Sequence, residues 1–210
     1  MQSDRELEIE IKIQLESFTD YLKLMGFLGS IDEEEHHVNA FFDTPERTLG
    51  TNGFSLRVRS ENQRGRITVK SAVSHTDAMS VRNEIEAEID AGLAKSFVDG
   101  EGDPFEVDVE PIRRLRGQFG ELTVSQLVRF RNSRQKKRFR LGDYEYVFEV
   151  DKTEFADGSV DYELEIELRD QGQYEVVIDN LRKIFQSLGI PFQRQPQTKL
   201  HRALERACLI

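Results

Sequence analysis

Glu6-Leu7-Glu8-Ile9-Glu10-Ile11-Lys12-Ile13-Gln14-Leu15 is the stretch that decides the fold. Apolar and ionic residues alternate through it without a break, and only an extended strand sends successive side chains to opposite faces. The strand therefore has an apolar face for a core and an ionic face for something else. The same period returns at Phe54/Leu56/Val58 against Ser55/Arg57/Arg59, and at Ile67/Val69 against Arg66/Thr68/Lys70. It returns again at Val81/Ile85/Ala87/Ile89 against Arg82/Glu84/Glu86/Glu88, at Tyr146/Phe148/Val150 against Glu149/Asp151, and at Tyr162/Leu164/Ile166/Leu168 against Glu163/Glu165/Glu167. Segments from Val38 to Thr44 and from Val128 to Phe139 read as two more strands, the second without a clean apolar face. The total is about eight strands.

Helical spacing is confined to Phe18–Phe27, to Tyr174–Leu188 with Val177, Leu181, Ile184, Phe185 and Leu188 on one stripe, and to a short final helix from Thr198 to Ala207. Thr198 is a candidate N-cap for the last. The insert from Ala91 to Leu127, with Gly100, Gly102, Asp103, Pro104 and Pro111, breaks the strands into two groups and is partly helical. Gly142-Asp143 and Asp157-Gly158-Ser159 read as hairpin turns. The pattern predicts an α+β fold, mainly antiparallel β, with helices packed outside.

With 210 residues the chain suits one domain, residues 1–210. Its formal charge of -10 disfavours nucleic acid as a partner held by bulk electrostatics. The single cysteine, Cys208, excludes an intramolecular disulfide and a cysteine zinc cage, and fits a reducing cytoplasm. No apolar run approaches the ~20 residues that span a bilayer, and the start, MQSDRELEIE, is too acidic for a signal peptide. The expectation is a cytoplasmic protein, monomer or homodimer, with neither membrane nor nucleic acid as a partner.

The ionic faces are more informative than their exposure alone would require. A half-exposed antiparallel sheet also shows a polar face. Here, however, Glu8/Glu10, Glu84/Glu86/Glu88 and Glu163/Glu165/Glu167 put like charges ~7 Å apart along single strands. At an effective dielectric near 20 each such pair repels by roughly 2 kcal/mol. A cationic offset comes either from the chain's own Lys12, Arg57, Arg59, Lys70, Arg82 and Arg134 or from a bound divalent metal. If the strands close with their apolar faces outward, the charges converge inside a polar lumen. Carboxylates are hard ligands for Mg²⁺ or Mn²⁺, and Arg and Lys grip phosphate, so such a lumen suits a phosphate chain with its metal ions. An acidic carrier whose charged faces meet water, and a binder without turnover, are the non-enzymatic alternatives.

Taken in order, several short motifs resemble the CYTH family, the triphosphate tunnel metalloenzymes that include class IV adenylate cyclases, thiamine triphosphatases and inorganic triphosphatases. Glu8-Ile9-Glu10-Ile11-Lys12 is similar to the family's ExExK, and Phe41-Phe42-Asp43-Thr44-Pro45 with Leu56-Arg57-Val58-Arg59 to its "YFDT…LRxR" block. Thr68-Val69-Lys70 looks like "xTxK", Arg82-Asn83-Glu84-Ile85-Glu86 like "RxExE", and Glu149-Val150-Asp151 like "ExD". Arg134 sits where the family has an arginine in its sixth strand. Tyr162 to Glu167 resembles the late ExExE, and Thr198-Lys199-Leu200-His201-Arg202-Ala203-Leu204 the terminal helix "SKYxRAL".

The resemblance implies an eight-stranded closed β-barrel tunnel holding a linear triphosphate. Lys12, Arg57, Arg59, Lys70, Arg82 and Arg134 are its expected phosphate ligands. Glu8, Glu10, Asp151, Glu163, Glu165 and Glu167 are the expected ligands of Mg²⁺ or Mn²⁺. Glu10, Glu165 and Lys199 are the expected catalytic residues, with Glu84 and Glu86 in support, although Lys199 also reads as a solvated helix lysine. Arg129, Arg131, Lys136, Lys137 and Arg138 are expected at an outer or rim patch, with Lys136 or Arg138 turned inward if the register shifts. The three late glutamates and the absence of a His-Phe pair before ExExK favour hydrolysis over cyclisation, and the absence of tryptophan disfavours an animal-type thiamine triphosphatase. Inorganic tripolyphosphate is the first expected substrate, ahead of nucleoside or thiamine triphosphate. His36 and His37 read as an exposed turn.

Overall fold

The structure is a computed structural model that describes the backbone of residues 6–75 and 80–210 and the side chains of residues 9–71 and 83–210. The elements follow the chain as β1 (Glu6–Leu15), α1 (Phe18–Leu28), β2 (Glu33–Asp43), α2 (Thr48–Thr51), β3 (Phe54–Glu61), β4 (Arg64–His75), β5 (Ser80–Ile89), α3 (Ala91–Val98) and α4 (Glu110–Phe119). They continue as β6 (Ser125–Leu141), β7 (Tyr144–Phe155), β8 (Val160–Glu167), α5 (Tyr174–Leu188), β9 (Gln193–Arg194) and α6 (Lys199–Arg206).

The strands are antiparallel neighbours in the order β5-β4-β3-β2-β6-β7-β8-β1-β9. β1 has three partners because it changes neighbour half-way along. Its second half carries the two-residue β9, Ile13 opposite Arg194, while its first half returns to β5, from Glu6 opposite Glu84 to Glu10 opposite Ser80. That return pairing joins the ends of the eight-strand series into a barrel, and closure removes the exposed strand edges.

The period-two pattern decides what lies on each side of the wall. Ile9, Ile11 and Ile13 of β1 and Phe148, Leu164 and Ile166 of β7 and β8 face outward, under Leu24 and Leu28 of α1 and Val177, Leu181 and Phe185 of α5. On the other flank Leu56, Val58, Ile67 and Val69 lie under Phe97 of α3 and Ile112 and Leu115 of α4. The insert between β5 and β6 is thus a helical cover for β3 and β4, whose apolar faces would otherwise meet water. A third cluster joins Phe41, Phe130 and Phe155 to Ala203 and Leu204, and so docks α6 on the barrel. Thr198 caps α6 by accepting from the His201 backbone N–H. Among the described residues no helix is long and apolar enough to cross a membrane.

Two strands run further than their apolar residues indicate. β2 starts at Glu33, and β6 extends over 17 residues, with Glu33 opposite Lys136 and Glu35 opposite Arg134. This register places Lys136 with the inward residues Asn132 and Arg134, and its Nζ stands 2.5 Å from Glu35 Oε1. Lys136 therefore leaves the rim patch in which its sequence neighbours placed it. Acid–base pairing across the ladder holds this stretch, where residues 33–37 and 132–138 are all polar.

Gly65 of β4, opposite Ile89 of β5, lies close under α3. A Cβ there would stand 2.5 Å from Ala94 Cβ and 2.9 Å from the Asp90 carbonyl oxygen. Gly65→Ala is expected to lower the unfolding free energy by roughly 1–3 kcal/mol, the usual cost of overpacking, as read by urea denaturation. An unchanged midpoint would show that α3 is not tightly packed.

Candidate functional site

The inward faces enclose a cavity of about 450 Å³. Its lining brings together Glu10 and Lys12 from β1, Arg57 and Arg59 from β3, Lys70 from β4, Arg134 from β6, Glu165 and Glu167 from β8 and Lys199 from α6. These residues come from six elements spread from residue 10 to residue 199; those on any one strand share one parity, which barrel closure turns inward, and α6 adds Lys199. Asp151 and Glu163 lie one layer deeper, 0% and 1% exposed. Glu8 and Arg82 have side chains outside the described residues, although the backbone ladder sets them opposite one another.

The acidic wall is built by cross-strand register. Lys12 lies opposite Glu165, Glu165 opposite Glu149, Glu163 opposite Asp151, and Asp151 opposite Arg134. Arg134 grips Asp151 with a guanidinium fork, Nε to Oδ1 at 2.8 Å and Nη2 to Oδ2 at 2.6 Å, and also contacts Glu149 and Glu165. Lys12 Nζ is 2.8 Å from both Glu10 and Glu165. Lys199 reaches down from α6 to Asp151 at 2.8 Å, to Glu165 at 3.0 Å and to Glu163. Lys199 is thus a lumen residue with a side chain 14% exposed, and its reading as a solvated helix lysine is corrected.

Burial opposes charge on every one of these groups, and partners outweigh it for most. Glu10, Glu165 and Glu163 hold the Lys12 ammonium well above its usual value, and Asp151, Glu163 and Glu165 do the same for Lys199. Burial would raise Asp151, but Arg134 and Lys199 pull it down to about 2. Lys12, Lys199 and Arg134 likewise hold Glu165 well below the carboxylate range. Glu149 goes the other way: burial, with Glu165 and Asp151 beside it, outweighs Arg134 and raises its carboxyl.

The opposite wall is cationic. Arg57 hydrogen-bonds Thr68 at 3.1 Å and stands 3.4 Å from Glu84, Lys70 is 2.6 Å from Glu84, and Arg66 is 2.9 Å from Glu86. Arg59 differs. It donates from Nε to Asn39 Oδ1 at 2.9 Å and, among the described residues, forms no ion pair within 4.0 Å. Burial, with Arg57 and Arg134 nearby, pushes its guanidinium down from the usual value.

Several contributors are residues to which the sequence motifs assign no role. Asn39 and Thr68 look like ordinary polar strand residues, yet they orient Arg59 and Arg57. Arg202, 5% exposed, hydrogen-bonds Glu163 at 2.8 Å and pairs with Asp161 at 2.8 Å, and its i+3 spacing from Lys199 puts both on the helix face toward the barrel. His37 lies in β2, its side chain fully buried beside Glu35 and Glu61, and is not part of an exposed turn.

A profile of the CYTH domain matches residues 6–195. The chain belongs to the CYTH domain family. The solved structures agree. HpAC1 from Hippeastrum, assigned as an adenylyl cyclase and found to have a dominant triphosphatase activity, is 25% identical over 97% of both chains with a TM-score of 0.82. A Bacillus halodurans protein assigned as an adenylate cyclase shares the fold, with 19% identity over 94% of this chain and 97% of that one and a TM-score of 0.70. PH1819 of Pyrococcus horikoshii does so with 18% identity over 94% and 99% and a TM-score of 0.58. Comparison with curated protein sequences returned no match. The tunnel architecture of this CYTH chain is therefore the family's own, and the closing pairing of β1 with β5 is its structural expression here.

The lowered Asp151 gives a pH dependence. Its ion pairs stabilise the fold above the ordinary carboxylate value near 3.8, and that contribution is lost as pH falls toward about 2. Between those limits the wild type is expected to lose stability faster than Asp151→Asn in paired chemical-denaturation curves. Parallel curves for the two proteins would contradict the assignment.

Proposed function

We propose that this CYTH protein hydrolyses a linear triphosphate with Mg²⁺ or Mn²⁺, and that inorganic tripolyphosphate, cleaved to pyrophosphate and phosphate, is its substrate. The observation that carries the reading is the polarity of the lumen: a crowded carboxylate wall faces a cationic wall whose buried Arg59, among the described residues, forms no ion pair within 4.0 Å. A buried cation is stabilised by an anion that brings its charge inside, and a chain of phosphates is such an anion.

In this reading Arg57, Arg59 and Lys70 grip the phosphates from one side, and Lys12, Arg134 and Lys199 bridge between the phosphates and the carboxylates. Arg82, opposite Glu8 in the backbone ladder, is the sixth residue expected in the grip. The acidic wall fits a hard divalent cation. Asp151, Glu163 and Glu165 each offer an oxygen, all within 4.8 Å of one another, and Glu10 and Glu167 line the cavity beside them. With Glu8, these are the residues that would hold Mg²⁺ or Mn²⁺. Such an ion, when bound, supplies charge neutralisation and activation of water.

The chain's own part is positioning. Glu165, kept ionised by three cations, is suited to holding metal and orienting water with Glu10. Glu149, whose carboxyl is raised by burial, is the stronger base of the two for the proton that water loses. Water oxygen bonds to the terminal phosphorus, the bridging P–O bond breaks, and pyrophosphate leaves with the electron pair. Lys199 and the arginines stabilise the charge that builds on the transferred group. The 25% identity to HpAC1 along its full length favours hydrolysis over cyclisation, since triphosphatase activity dominates in that protein.

Purified protein is expected to release phosphate from tripolyphosphate with Mg²⁺ or Mn²⁺ and to lose it with a chelator. Glu165→Gln or Glu10→Gln should lower kcat by ~100-fold or more. Arg57→Ala should act mainly on KM, by ~10-fold, the worth of one charge-assisted contact. Cyclic AMP from ATP as the main product, or full turnover in Glu165→Gln, would overturn the reading.

A further inference from the structure

A second group of metal-ligating side chains lies in the lumen outside the triphosphate grip. β2 and β3 are paired so that His37 stands directly opposite Glu61, with Glu35 two residues earlier on the same face of β2. The residues that follow on that face, Asn39 and Phe41, line the cavity. His37 is fully buried, and neither of its ring nitrogens makes a hydrogen bond to the described residues. Burying an unsatisfied imidazole costs free energy unless something binds it.

The surroundings point that something out. Nε2 lies 3.1 Å from Glu35 Oε2 and 3.6 Å from Glu61 Oε2, aimed at both without donating a hydrogen bond to either. Two donors each about 2.1 Å from one ion stand ~3.0 Å apart at a right angle and ~3.6 Å apart at a trigonal angle. The spacing is that of ligands waiting around a single first-row ion. All three donor atoms lie within 4.8 Å of one another. Lys136 holds Glu35 by Oε1 at 2.5 Å and leaves Oε2 turned toward the histidine, an orienting contact of the kind that supports metal ligands. The cationic neighbours are engaged elsewhere, Arg59 with Asn39 and Arg134 with Asp151.

We infer that Glu35, His37 and Glu61 form a site for a divalent transition ion, Zn²⁺ in preference to Mg²⁺. The imidazole sets the preference, because Mg²⁺ takes oxygen ligands and a nitrogen-containing set suits zinc. The site shares no residue with the Asp151–Glu163–Glu165 group, so its occupancy and triphosphate hydrolysis fail independently.

Equilibrium dialysis of the full chain, with Zn²⁺ or Mg²⁺ and no phosphate present, tests it. The wild type is expected to hold a Zn²⁺ equivalent that excess Mg²⁺ does not displace. Glu61→Gln and His37→Asn should each weaken it by at least ~10-fold, while Glu163→Gln leaves it in place. Nitrogen NMR of the histidine side chains needs no variant: Zn²⁺ should shift the His37 Nε2 resonance. Zn²⁺ held no better than Mg²⁺, loss in Glu163→Gln but not in Glu61→Gln, or an unmoved His37 signal would each overturn the site.

Discussion

The rest of the structure depends on the four-way contact at Arg134, where one guanidinium meets Asp151, Glu149 and Glu165 inside a closed barrel. Carboxylates at this density repel, and in a buried setting the repulsion is poorly screened. A planar, permanently charged fork that can bond several of them at once offsets it in a way a lysine cannot. Removing one partner of such a buried group leaves an uncompensated charge, which typically costs about 3–5 kcal/mol. The cluster therefore adds a specific register for β6, β7 and β8 to the apolar layer outside them.

The compensation is uneven around the barrel, and the unevenness suggests chemistry. Among the described residues, Glu10, Glu149, Asp151, Glu163 and Glu165 crowd together on β1, β7 and β8, with Lys12, Arg134 and Lys199 shared between them. On β3 and β4 the cations take what Glu84 and Glu86 offer, and Arg59 is left to an amide oxygen. A lumen divided in this way is the ground for proposing a polyanion accompanied by divalent cations, whose two charges would match the two walls.

α6 completes the arrangement from outside the sheet. Its apolar side rests on Phe41, Phe130 and Phe155, and its polar side sends Lys199 and Arg202 onto Asp151, Glu163 and Glu165. One short helix thus packs on the apolar cluster and also supplies cations to the carboxylate wall. That is possible because residues three apart on a helix share a face, while the next residues along turn toward the aromatic pad.

The strands and their two faces were legible in the sequence, because a period of two is a local property that survives any tertiary arrangement. So were the outer helices, and, through their spacing, most of the residues that line the cavity. What the tertiary structure alone decided was partnership. No pattern within β1 says that its first half closes on β5 while its second half carries β9. β6 lacks an apolar stripe, so its register, and with it the inward turn of Lys136, came from pairing with the acids of β2. His37 sits in a polar stretch that reads as a turn, and only the opposing Glu61, together with the burial given by the closed wall, makes it a buried imidazole between two carboxylates. Periodicity sets which way a side chain points relative to its own backbone, whereas long-range pairing sets what it points at.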